Sequence, residues 1–421
     1  MLVRIVRTTI KKYISKTKKK IESKEYLNKS REKPSDFTRK RKMGFVELIK
    51  FMVTRSKNST QNALEKHFDK MGEEIYMSQQ AYSEARSKVK VSAFTDLFYM
   101  TADIAYDGYY ETYRGYRVSG IDGSKLALPD IEELGEIYGG TGAKASSPTA
   151  QGSIYYDVLN KVIVDALIEP LKTDERTLAL RHIGNLALSR KFEKELVIMD
   201  RGYASYELVR KLFESKVSFL IRVKRKYNLE IDAQTESDGY VVLRSKGQPD
   251  LKVRVLKFML DSGEEEMLIT DLFDEDMGIE DFKKLYFMRW PVETKYDEVK
   301  NKLEIENFTG WTKKAIEQDF YATMYLSNIA AAARWEAQVI VDDERLGKDN
   351  KYHYQVNVNH EIGVLKDRLI YALSKPNPSK EIEKIIFRLS KRVCPIKPDR
   401  HFDRNSSPRK SKHHYNSRSN S

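Results

Sequence analysis

Residues 195–223, ELVIMDRGYASYELVRKLFESKVSFLIRV, alternate between strand-like and helix-like patterns. Residues 195–199 form a short apolar run that ends at Asp200, and residues 206–215 place apolar side chains at helical spacing. A second apolar run follows at 217–223. Because a strand, a helix and a second strand in succession usually form a parallel unit, this stretch predicts an α/β fold.

Three further strands precede this unit. One short apolar strand covers residues 118–121. Two more, at 154–158 and 162–168, are joined by an Asn160-Lys161 turn, which is typical of a hairpin. Residues 174–190 then have helical spacing. The order of three strands, helix, strand, helix and strand predicts a mixed sheet flanked by helices.

Other segments have patterns of their own. Helical spacing within residues 44–105 predicts a small helical domain. The Gly-, Ser- and Pro-rich stretch 139–153 predicts a loop, and residues 229–272 are strand-like. Helical spacing returns in three later segments, at 279–303, 312–339 and 360–392.

The positive charge is concentrated in the two ends of the chain. The 421 residues carry a formal net charge of +13. Residues 1–43 hold 16 Lys/Arg and 4 Asp/Glu, and residues 396–421 hold 7 and 2, so the residues between them have a net charge of −4. Basic tails favour an acidic polymer such as nucleic acid as a partner, although they also occur as solubilising arms.

The single cysteine, Cys394, excludes a disulfide within the chain and indicates a reducing compartment. The sequence has no apolar run near the ~18–20 residues that span a bilayer, so we expect no membrane segment. The N-terminal residues lack the continuous apolar stretch of a secretory signal. A cytoplasmic location is therefore expected.

Two aspartates directly follow predicted strands. Asp122 follows residues 118–121, and Asp200 follows residues 195–199. If these strands are neighbours, both carboxylates lie at the same edge of the sheet, where sites of α/β proteins form. A single Asp followed closely by Gly is more often a turn than a ligand. Two such sites on strands that look central make the turn interpretation considerably weaker.

A third carboxylate lies in the segment 285–300, LYFMRWPVETKYDEVK. On a helix, Tyr286, Arg289, Glu293 and Lys300 share one stripe because they are three, four and seven residues apart. The alternative interpretation is a solvated face with an Arg–Glu–Lys ion-pair ladder, which spacing alone slightly favours. Pro291 predicts a kink or a helix start near Trp290.

The spacing of Tyr286, Arg289, Glu293 and Lys300 resembles the signature of the insertion-sequence-four family of bacterial DDE transposases: Tyr, two residues, Arg, three residues, Glu, six residues, Lys. Five other fragments resemble that family. They are GYRVSGIDGS at 115–124, YDVLN at 156–160, VIMDRGY at 197–203, LITDL at 268–272 and ENFTG at 306–310. The resemblance covers roughly residues 44–375.

The resemblance implies an RNase H-like core whose active site contains Asp122, Asp200 and Glu293. Such a site would hold two Mg²⁺ ions, with Mn²⁺ as a possible substitute, because hard cations prefer oxygen ligands. Tyr286, Arg289 and Lys300 would contact phosphates near the transposon 5′ end. The implied partners are the terminal inverted repeats and the target, both double-stranded DNA, and the implied assembly is a homodimer on DNA.

The resulting domain hypothesis has seven parts. They are a basic arm (1–43), a helical domain that binds DNA ends (44–105), the first part of the catalytic core (106–225), a β-rich insertion (226–275), the second part of the core with the Glu helix (276–340), a C-terminal helical region (341–395) and a basic disordered tail (396–421).

Two questions stay open at the level of sequence. Some relatives stack a flipped base on a Trp of the insertion during hairpin formation, but residues 226–275 contain no Trp. Tyr227, Tyr240 or Phe258 are the candidates to replace it. The alternatives to a transposase are a metal-dependent nuclease of the same fold without strand transfer, and a domesticated DNA-binding protein without catalytic activity.

Overall fold

A computed structural model describes residues 10–55, 59–72, 74, 76–141, 147–189, 194–260 and 263–397. The chain forms two compact units. The first, called here the helical unit, comprises Met1–Tyr109, Leu126–Ala150 and Glu298–Ser421. The second, the sheet unit, comprises Tyr110–Lys125 and Gln151–Asp297. The ends of the chain, 1–9 and 398–421, lie outside the described residues, and with them most of the predicted basic tail.

The helices of the described residues, in chain order, are α1 (Ile10–Ile21), α2 (Lys24–Ser30), α3 (Phe45–Thr54), α4 (Thr60–Met71), α5 (Gln79–Ser87), α6 (Ser92–Ala105), α7 (Glu132–Tyr138), α8 (Glu175–Ser189), α9 (Tyr206–Ser215), α10 (Leu229–Ala233), α11 (Ile279–Phe287), α12 (Trp290–Asp297), α13 (Lys313–Arg345), α14 (Val358–Ser374) and α15 (Ser379–Ser390). A π-helical turn, Glu298–Lys302, follows α12.

The strands are β1 (Arg117–Ala127), β2 (Gly140–Thr141), β3 (Ser147–Asp157), β4 (Val162–Pro170), β5 (Glu195–Met199), β6 (Ser218–Val223), β7 (Asp238–Leu243), β8 (Leu251–Met259), β9 (Glu265–Thr270), β10 (His353–Val356) and β11 (Val393–Ile396). The first nine form one mixed sheet in the order β2-β3-β1-β5-β6-β9-β8-β7, with β4 also paired to β3. The last two form an antiparallel pair.

The centre of the large sheet explains why its strands read as continuous apolar runs. Strand β5 is parallel to both β1 and β6, and all five of its residues are buried. Strands with both faces covered need apolar side chains on both sides and so do not alternate. The sheet unit therefore has the predicted class, an α/β RNase H-like fold with a mixed sheet flanked by helices.

Helix α9, which lies between the two central strands in sequence, has clear start and stop signals. The Ser205 hydroxyl accepts a hydrogen bond from the Leu208 amide and caps the helix. Lys216 ends it in the left-handed conformation, at φ 54°. Leu208, Val209 and Leu212 are buried in the main core, so the apolar stripe seen in the sequence is the face that meets the sheet.

The strand-rich region after β6 extends the same sheet. Strand β9 pairs antiparallel with β6, β8 with β9, and β7 with β8. Antiparallel strands can be added at the β6 edge by short connections, so the β-rich part of the predicted fold continues the core sheet.

The predicted loop at 139–153 is wrong over its second half. Strand β3 begins at Ser147, and its residues from Pro148 to Asp157 are buried. The Gly, Ser and Pro residues of this stretch favour a loop by local propensity, but a strand buried on both faces can carry small polar residues that are hydrogen-bonded inside the protein. Residues 142–146 lie outside the described residues.

The helical unit is built around α13, which packs against α6, α14 and α15. Arg86 of α5 fastens the segment before α13, because its guanidinium donates to the Thr309 hydroxyl at 2.8 Å and to Asp319 at 2.9 Å. Residues 10–30 of the predicted basic arm form α1 and α2. No helix in the described part of the chain combines the length and apolar character needed to cross a membrane.

Candidate active site

Asp122 and Asp200 are brought to the same level by the register of two parallel strands. Strand β1 pairs with β5 through Gly120, which lies opposite Ile198. Continuing that register by two residues sets Asp122 level with Asp200. The prediction that β1 ends at Asp122 is wrong, since this strand continues to Ala127. The expected proximity nevertheless holds, because β5 ends at Met199 and leaves both carboxylates just beyond the paired residues.

Main-chain amides hold one oxygen of each aspartate. The Gly123 amide donates to Oδ1 of Asp122 at 2.9 Å, and the Gly202 amide donates to Oδ1 of Asp200 at 2.7 Å. A backbone donor stabilises the ionised carboxylate and fixes its orientation. The glycines that follow the aspartates thus supply a donor as well as a turn.

Two hydroxyls from different elements hold the main-chain carbonyl of Asp122. Tyr296 of α12 donates to it at 3.0 Å, and Ser153 of β3 donates to it at 3.3 Å. A carbonyl oxygen has two lone pairs and can accept both bonds. The position of Asp122 is therefore set from the helix side and from the strand side.

A buried chain of polar side chains stands behind Ser153. Its hydroxyl is 3.0 Å from Nε2 of His182, and Nδ1 of His182 is 2.8 Å from Oδ2 of Asp165. Asp165 also accepts a bond from Asn185. These contacts have the order of a Ser-His-Asp hydrolase triad, but Ser153, His182 and Asp165 are buried, so no substrate can reach the hydroxyl. Their role is to orient groups around Asp122.

Glu293 stands on α12, which lies directly against β1. A Cβ atom added at Gly120 would be 2.5 Å from Cγ2 of Val292, so only glycine allows this approach. The hydrogen bond from Tyr296 fastens the same helix one turn further on. The carboxylate of Glu293 itself is paired with Arg289 at 2.8 Å. The close approach and the hydrogen bond together bring Glu293 to the aspartates.

The charges of these carboxylates act on one another. Burial, together with the neighbouring carboxylates of Glu175, Asp200 and Glu293, raises the pKa of Asp122 to about 7, against the lowering effect of the Gly123 amide. Loss of solvent and nearby like charge both disfavour the ionised form. Asp122 therefore lies near the charges of Asp200, Glu293 and Glu175, the last of which the sequence patterns did not indicate.

The cluster suits a divalent metal in its donor chemistry. Its oxygens are the ligands that Mg²⁺ and Mn²⁺ prefer, and a cation among them would offset the repulsion that raises the pKa of Asp122. Among the described residues, no three His, Cys, Asp or Glu side chains already converge on one ion position.

The residues preceding Glu293 are not on one continuous helix with it. Helix α11 ends at Phe287 and α12 begins at Trp290, so the single stripe expected from spacing is wrong, while the helix start expected from Pro291 is confirmed. Arg289 lies at the break, with its guanidinium 5.8 Å from the ring centre of Tyr286. Its Nε is buried and has no hydrogen-bond partner among the described residues.

An open cavity of about 330 Å³ borders Tyr286 and Arg289. Its other lining residues are mostly large and apolar: Phe258, Met259, Leu260, Glu266, Lys283, Phe287 and Trp290. Phe287 is 77% exposed, which is unusual for a large aromatic side chain. The cavity combines aromatic surface with the guanidinium of Arg289.

Lys300 lies in the π-helical turn and belongs to the helical unit. Its Nζ is 3.6 Å from the carboxylate of Glu306. The alternative interpretation was an Arg–Glu–Lys ladder of ion pairs. Its first pair, Arg289 with Glu293, is present, but Lys300 pairs with Glu306 instead. Single π-helical turns often occur at functional positions of helices.

A mixed α/β sheet with one aspartate on a strand, a second directly after the neighbouring strand and a glutamate on a nearby helix is the arrangement expected of acidic-site phosphodiester enzymes of RNase H-like fold. The model of the family described as "Transposase DDE domain" matches residues 113–329. The chain therefore belongs to the DDE transposase domain family and is a polynucleotidyl transferase. The matched range contains all six residues that the sequence singled out.

Comparisons with other proteins add little to this assignment. No curated protein matches the chain. Seven chains of solved structures match. One is the cryo-EM structure of a piggyBac transposase synaptic complex with hairpin DNA, with a TM-score of 0.46 and 11% sequence identity over 93% of this chain and 84% of that chain.

Proposed function

We propose that this protein is the transposase of a bacterial insertion sequence of the insertion-sequence-four family and moves its element by cutting and pasting DNA. The observation that carries the proposal is the alignment of Asp122 and Asp200 across two parallel strands, with the helix of Glu293 placed against the first of them. The Tyr-Arg-Glu-Lys spacing supports the choice of family. Bacterial origin and action in the cytoplasm are part of the same proposal.

Asp122, Asp200 and Glu293 would hold two Mg²⁺ ions, or Mn²⁺ in their place. Each of these three side chains would supply carboxylate oxygens to the ions. Two divalent ions supply charge neutralisation of the phosphodiester, activation of the attacking oxygen and stabilisation of the leaving oxygen. The protein's own contribution is to fix the three carboxylates through β1, β5 and α12.

The reaction has two displacements at phosphorus. In the first, the oxygen of water forms a bond to the phosphorus at the transposon end, the bond to the 3′ oxygen breaks, and that oxygen leaves as a hydroxyl. In the second, this 3′ hydroxyl bonds to a phosphorus of the target DNA and displaces a target 3′ oxygen, which takes up a proton. The number of phosphodiester bonds is conserved in the second step.

Tyr286, Arg289 and Lys300 are proposed to hold phosphates near the transposon 5′ end. Arg289 suits this role because its buried Nε lacks a hydrogen-bond partner among the described residues and because a guanidinium binds phosphate through two parallel bonds. Binding of DNA by Arg289 would also free Glu293. Lys300 would contribute a compact positive charge.

The remaining assignments concern DNA binding. Residues 44–105 are proposed to bind the terminal inverted repeats, and the Lys- and Arg-rich segment 1–43 to add affinity that depends on salt rather than on base sequence. Two ends must be held together for transposition, so we propose a homodimer on DNA. If excision proceeds through a hairpin, Phe258 in the cavity beside Arg289 is placed to stack an unpaired base.

The test is to incubate the purified protein with Mg²⁺ or Mn²⁺ and DNA that carries the element's ends, and to resolve the products on a denaturing gel. Nicked ends followed by products joined to target DNA are expected. Cleavage without joined products would identify a nuclease, and specific binding without cleavage would identify a domesticated DNA-binding protein. Retained cleavage by Asp122→Ala would refute the assignment of the site.

A further inference from the structure

Glu175 is a carboxylate beside the aspartates to which no role has been given. It is the first residue of α8, directly after Asp174, whose carboxylate accepts hydrogen bonds from the amides of Arg176 and Thr177 at 3.1 Å and caps the helix. This cap fixes where α8 begins and hence where Glu175 points. Its Oε1 would be 2.7 Å from a Cβ at Gly123, so the carboxylate lies against the backbone next to Asp122.

The absence of a side chain at position 123 is required for this arrangement. Any residue other than glycine would displace the carboxylate of Glu175, and the amide of Gln151 lies nearly as close, at 2.8 Å from the same Cβ position. Burial together with the charge of Asp200 raises the pKa of Glu175, which agrees with its place in the cluster. Glu175 therefore faces the two aspartates.

Tyr203 provides an independent sign that this cluster receives a ligand. The residue is 1% exposed, and its hydroxyl has no hydrogen-bond partner among the described residues. The Tyr203 amide donates to the main-chain carbonyl of Asp200 at 3.3 Å, so the residue lies beside that aspartate. Burial raises the pKa of Tyr203 well above its ordinary value, and the nearby Glu175, Asp122, Tyr296 and Asp200 add to the rise. A buried hydroxyl without a partner is costly, and one beside four polar groups is placed to bind an incoming oxygen.

We propose that Glu175 is a fourth carboxylate of the divalent-metal centre and that the Tyr203 hydroxyl donates a hydrogen bond to an oxygen bound there, from water or phosphate. The inference rests on the proposed function of the same site. Charge balance supports it, because two divalent cations carry four positive charges and Asp122, Asp200 and Glu293 supply only three negative ones. With Glu175 the loaded centre is neutral before the phosphodiester enters.

The first measurement is Mn²⁺ binding, by calorimetry or by electron paramagnetic resonance of the free ion, with no DNA present. Glu175→Gln should weaken Mn²⁺ binding about tenfold or more, the effect typical of losing a group that supports a metal site. Glu207→Gln is the matched control, because Glu207 is also in the first turn of a helix, α9, and is exposed. It should bind Mn²⁺ as the wild type does.

Asp122→Asn separates failure of this inference from failure of the proposed function. If Asp122→Asn weakens Mn²⁺ binding and Glu175→Gln does not, Glu175 is not a ligand and the three-carboxylate site stands. If neither change alters Mn²⁺ binding, both proposals are wrong. Thermal melting of each variant verifies folding, and Glu175→Asp, which keeps the charge but shortens the side chain, should bind with intermediate affinity.

Tyr203→Phe tests the hydroxyl. Because the hydroxyl is buried and unpaired in the described structure, its removal should leave the melting temperature unchanged or raise it, while DNA cleavage falls about tenfold, the value of one hydrogen bond to a charged group. A loss of stability with normal cleavage would show that the hydroxyl has a structural partner instead. Cleavage and stability both equal to the wild type would also refute the role.

Discussion

Asp122 stands on β1 and Asp200 directly follows the neighbouring strand β5, whose pairing with β1 brings them to the same level. Glu293 instead stands on a helix that meets the sheet through side chains, among them Val292 at Gly120 and Tyr296 at the carbonyl of Asp122. The two halves of the site therefore differ in what maintains them. The strand half is fixed by a continuous ladder of backbone bonds. The helix half depends on side-chain contacts between α12 and the sheet.

The largest effects should come from the carboxylates themselves. Asp122→Asn, Asp200→Asn and Glu293→Gln should each reduce DNA cleavage roughly a thousandfold or more, because a lost metal-binding oxygen removes several kcal/mol of transition-state stabilisation. The melting temperatures of these variants should differ between the strand half and the helix half of the site. Asp122→Asn removes a buried, repelled charge and should raise the melting temperature, whereas Glu293→Gln loses only a partly exposed ion pair worth about 0–1 kcal/mol.

Glu293→Gln is the decisive member of this set. If it cuts DNA as the wild type does while Asp122→Asn is inactive, Glu293 serves only in the pair with Arg289. The ion-pair interpretation of the Tyr-Arg-Glu-Lys spacing would then be correct for this residue, and the third metal-binding group would have to be sought elsewhere in the cluster.

Gly120→Ala should break the helix half while leaving the strand ladder intact. The added Cβ would lie 2.5 Å from Val292, and such overpacking costs about 1–3 kcal/mol of unfolding free energy. We expect a lower melting temperature and a large loss of cleavage. Gly184→Ala, where a Cβ meets nothing within 4 Å, is the control and should not destabilise the protein.

A second substitution shows whether the contact itself is responsible. Val292→Ala removes the methyl groups that the new Cβ would strike, so the double variant Gly120→Ala, Val292→Ala should recover part of both stability and cleavage. Simple addition of the two single effects would mean that α12 is not positioned through this contact.

Arg289→Lys keeps the charge but removes the planar fork. DNA binding and cleavage should fall about tenfold, since hydrogen bonds to charged groups contribute about 1.5–3 kcal/mol each. Binding curves at several salt concentrations and single-turnover cleavage provide the measurement. Lys284→Arg on the exposed face of α11 is the control. If Arg289→Lys is as active as the wild type, Arg289 contributes only its positive charge and not its planar hydrogen-bonding geometry.

The strand half of the site was largely predictable from sequence because its determinants are local. The apolar runs before Asp122 and Asp200 indicate buried strands, and parallel strands bring their ends to one edge. Even there, the end of β1 was misplaced, because Lys125 and Leu126 continue a strand after the Asp-Gly pair. The pairing of β1 within the sheet outweighs the turn propensity of the Asp122-Gly123 pair.

The helix half was less predictable because its determinants are distant in sequence. The contact of Gly120 with Val292 and the bond from Tyr296 to Asp122 join residues more than a hundred positions apart, and no periodicity encodes them. The break between α11 and α12 also removes the single stripe predicted from spacing, so the assignment of Glu293 depends mainly on the family signature. Glu175 escaped notice because an acid in the first turn of a helix is common for reasons of the helix dipole alone.

Tyr296→Phe and Ser153→Ala compare the two halves at one atom, since both hydroxyls donate to the carbonyl of Asp122. Each change should cost about 1 kcal/mol of unfolding free energy, the usual net value of a hydrogen bond. Tyr296→Phe should reduce cleavage more, because it also loosens the helix of Glu293. Chemical denaturation and single-turnover kinetics measure the two effects. If Ser153→Ala reduces cleavage more than Tyr296→Phe does, the position of Asp122 is set mainly by Ser153 and the buried His182 behind it.

The smallest effect concerns pH in metal-free protein. The pKa of Asp122 is raised from 3.8 in the unfolded chain to about 7 in the folded one, so the folded state retains a proton that the unfolded state releases. This stabilisation is complete below about pH 4 and is lost as the pH rises through 7. Asp271, whose pKa burial raises to about 6, contributes in the same direction.

The difference between wild type and Asp122→Asn isolates the first residue, because Asp271 is present in both proteins. Melting temperatures between pH 4 and pH 8 should decline more steeply in the wild type, and Mn²⁺ should remove the extra decline, since metal binding requires the ionised carboxylate and favours it as protons become scarce. Parallel melting profiles of the two proteins would mean that Asp122 is ionised throughout. The carboxylate of Asp122 would then experience no repulsion in the folded protein that a metal ion could offset. The strand half and the helix half would differ only in how their side chains are positioned.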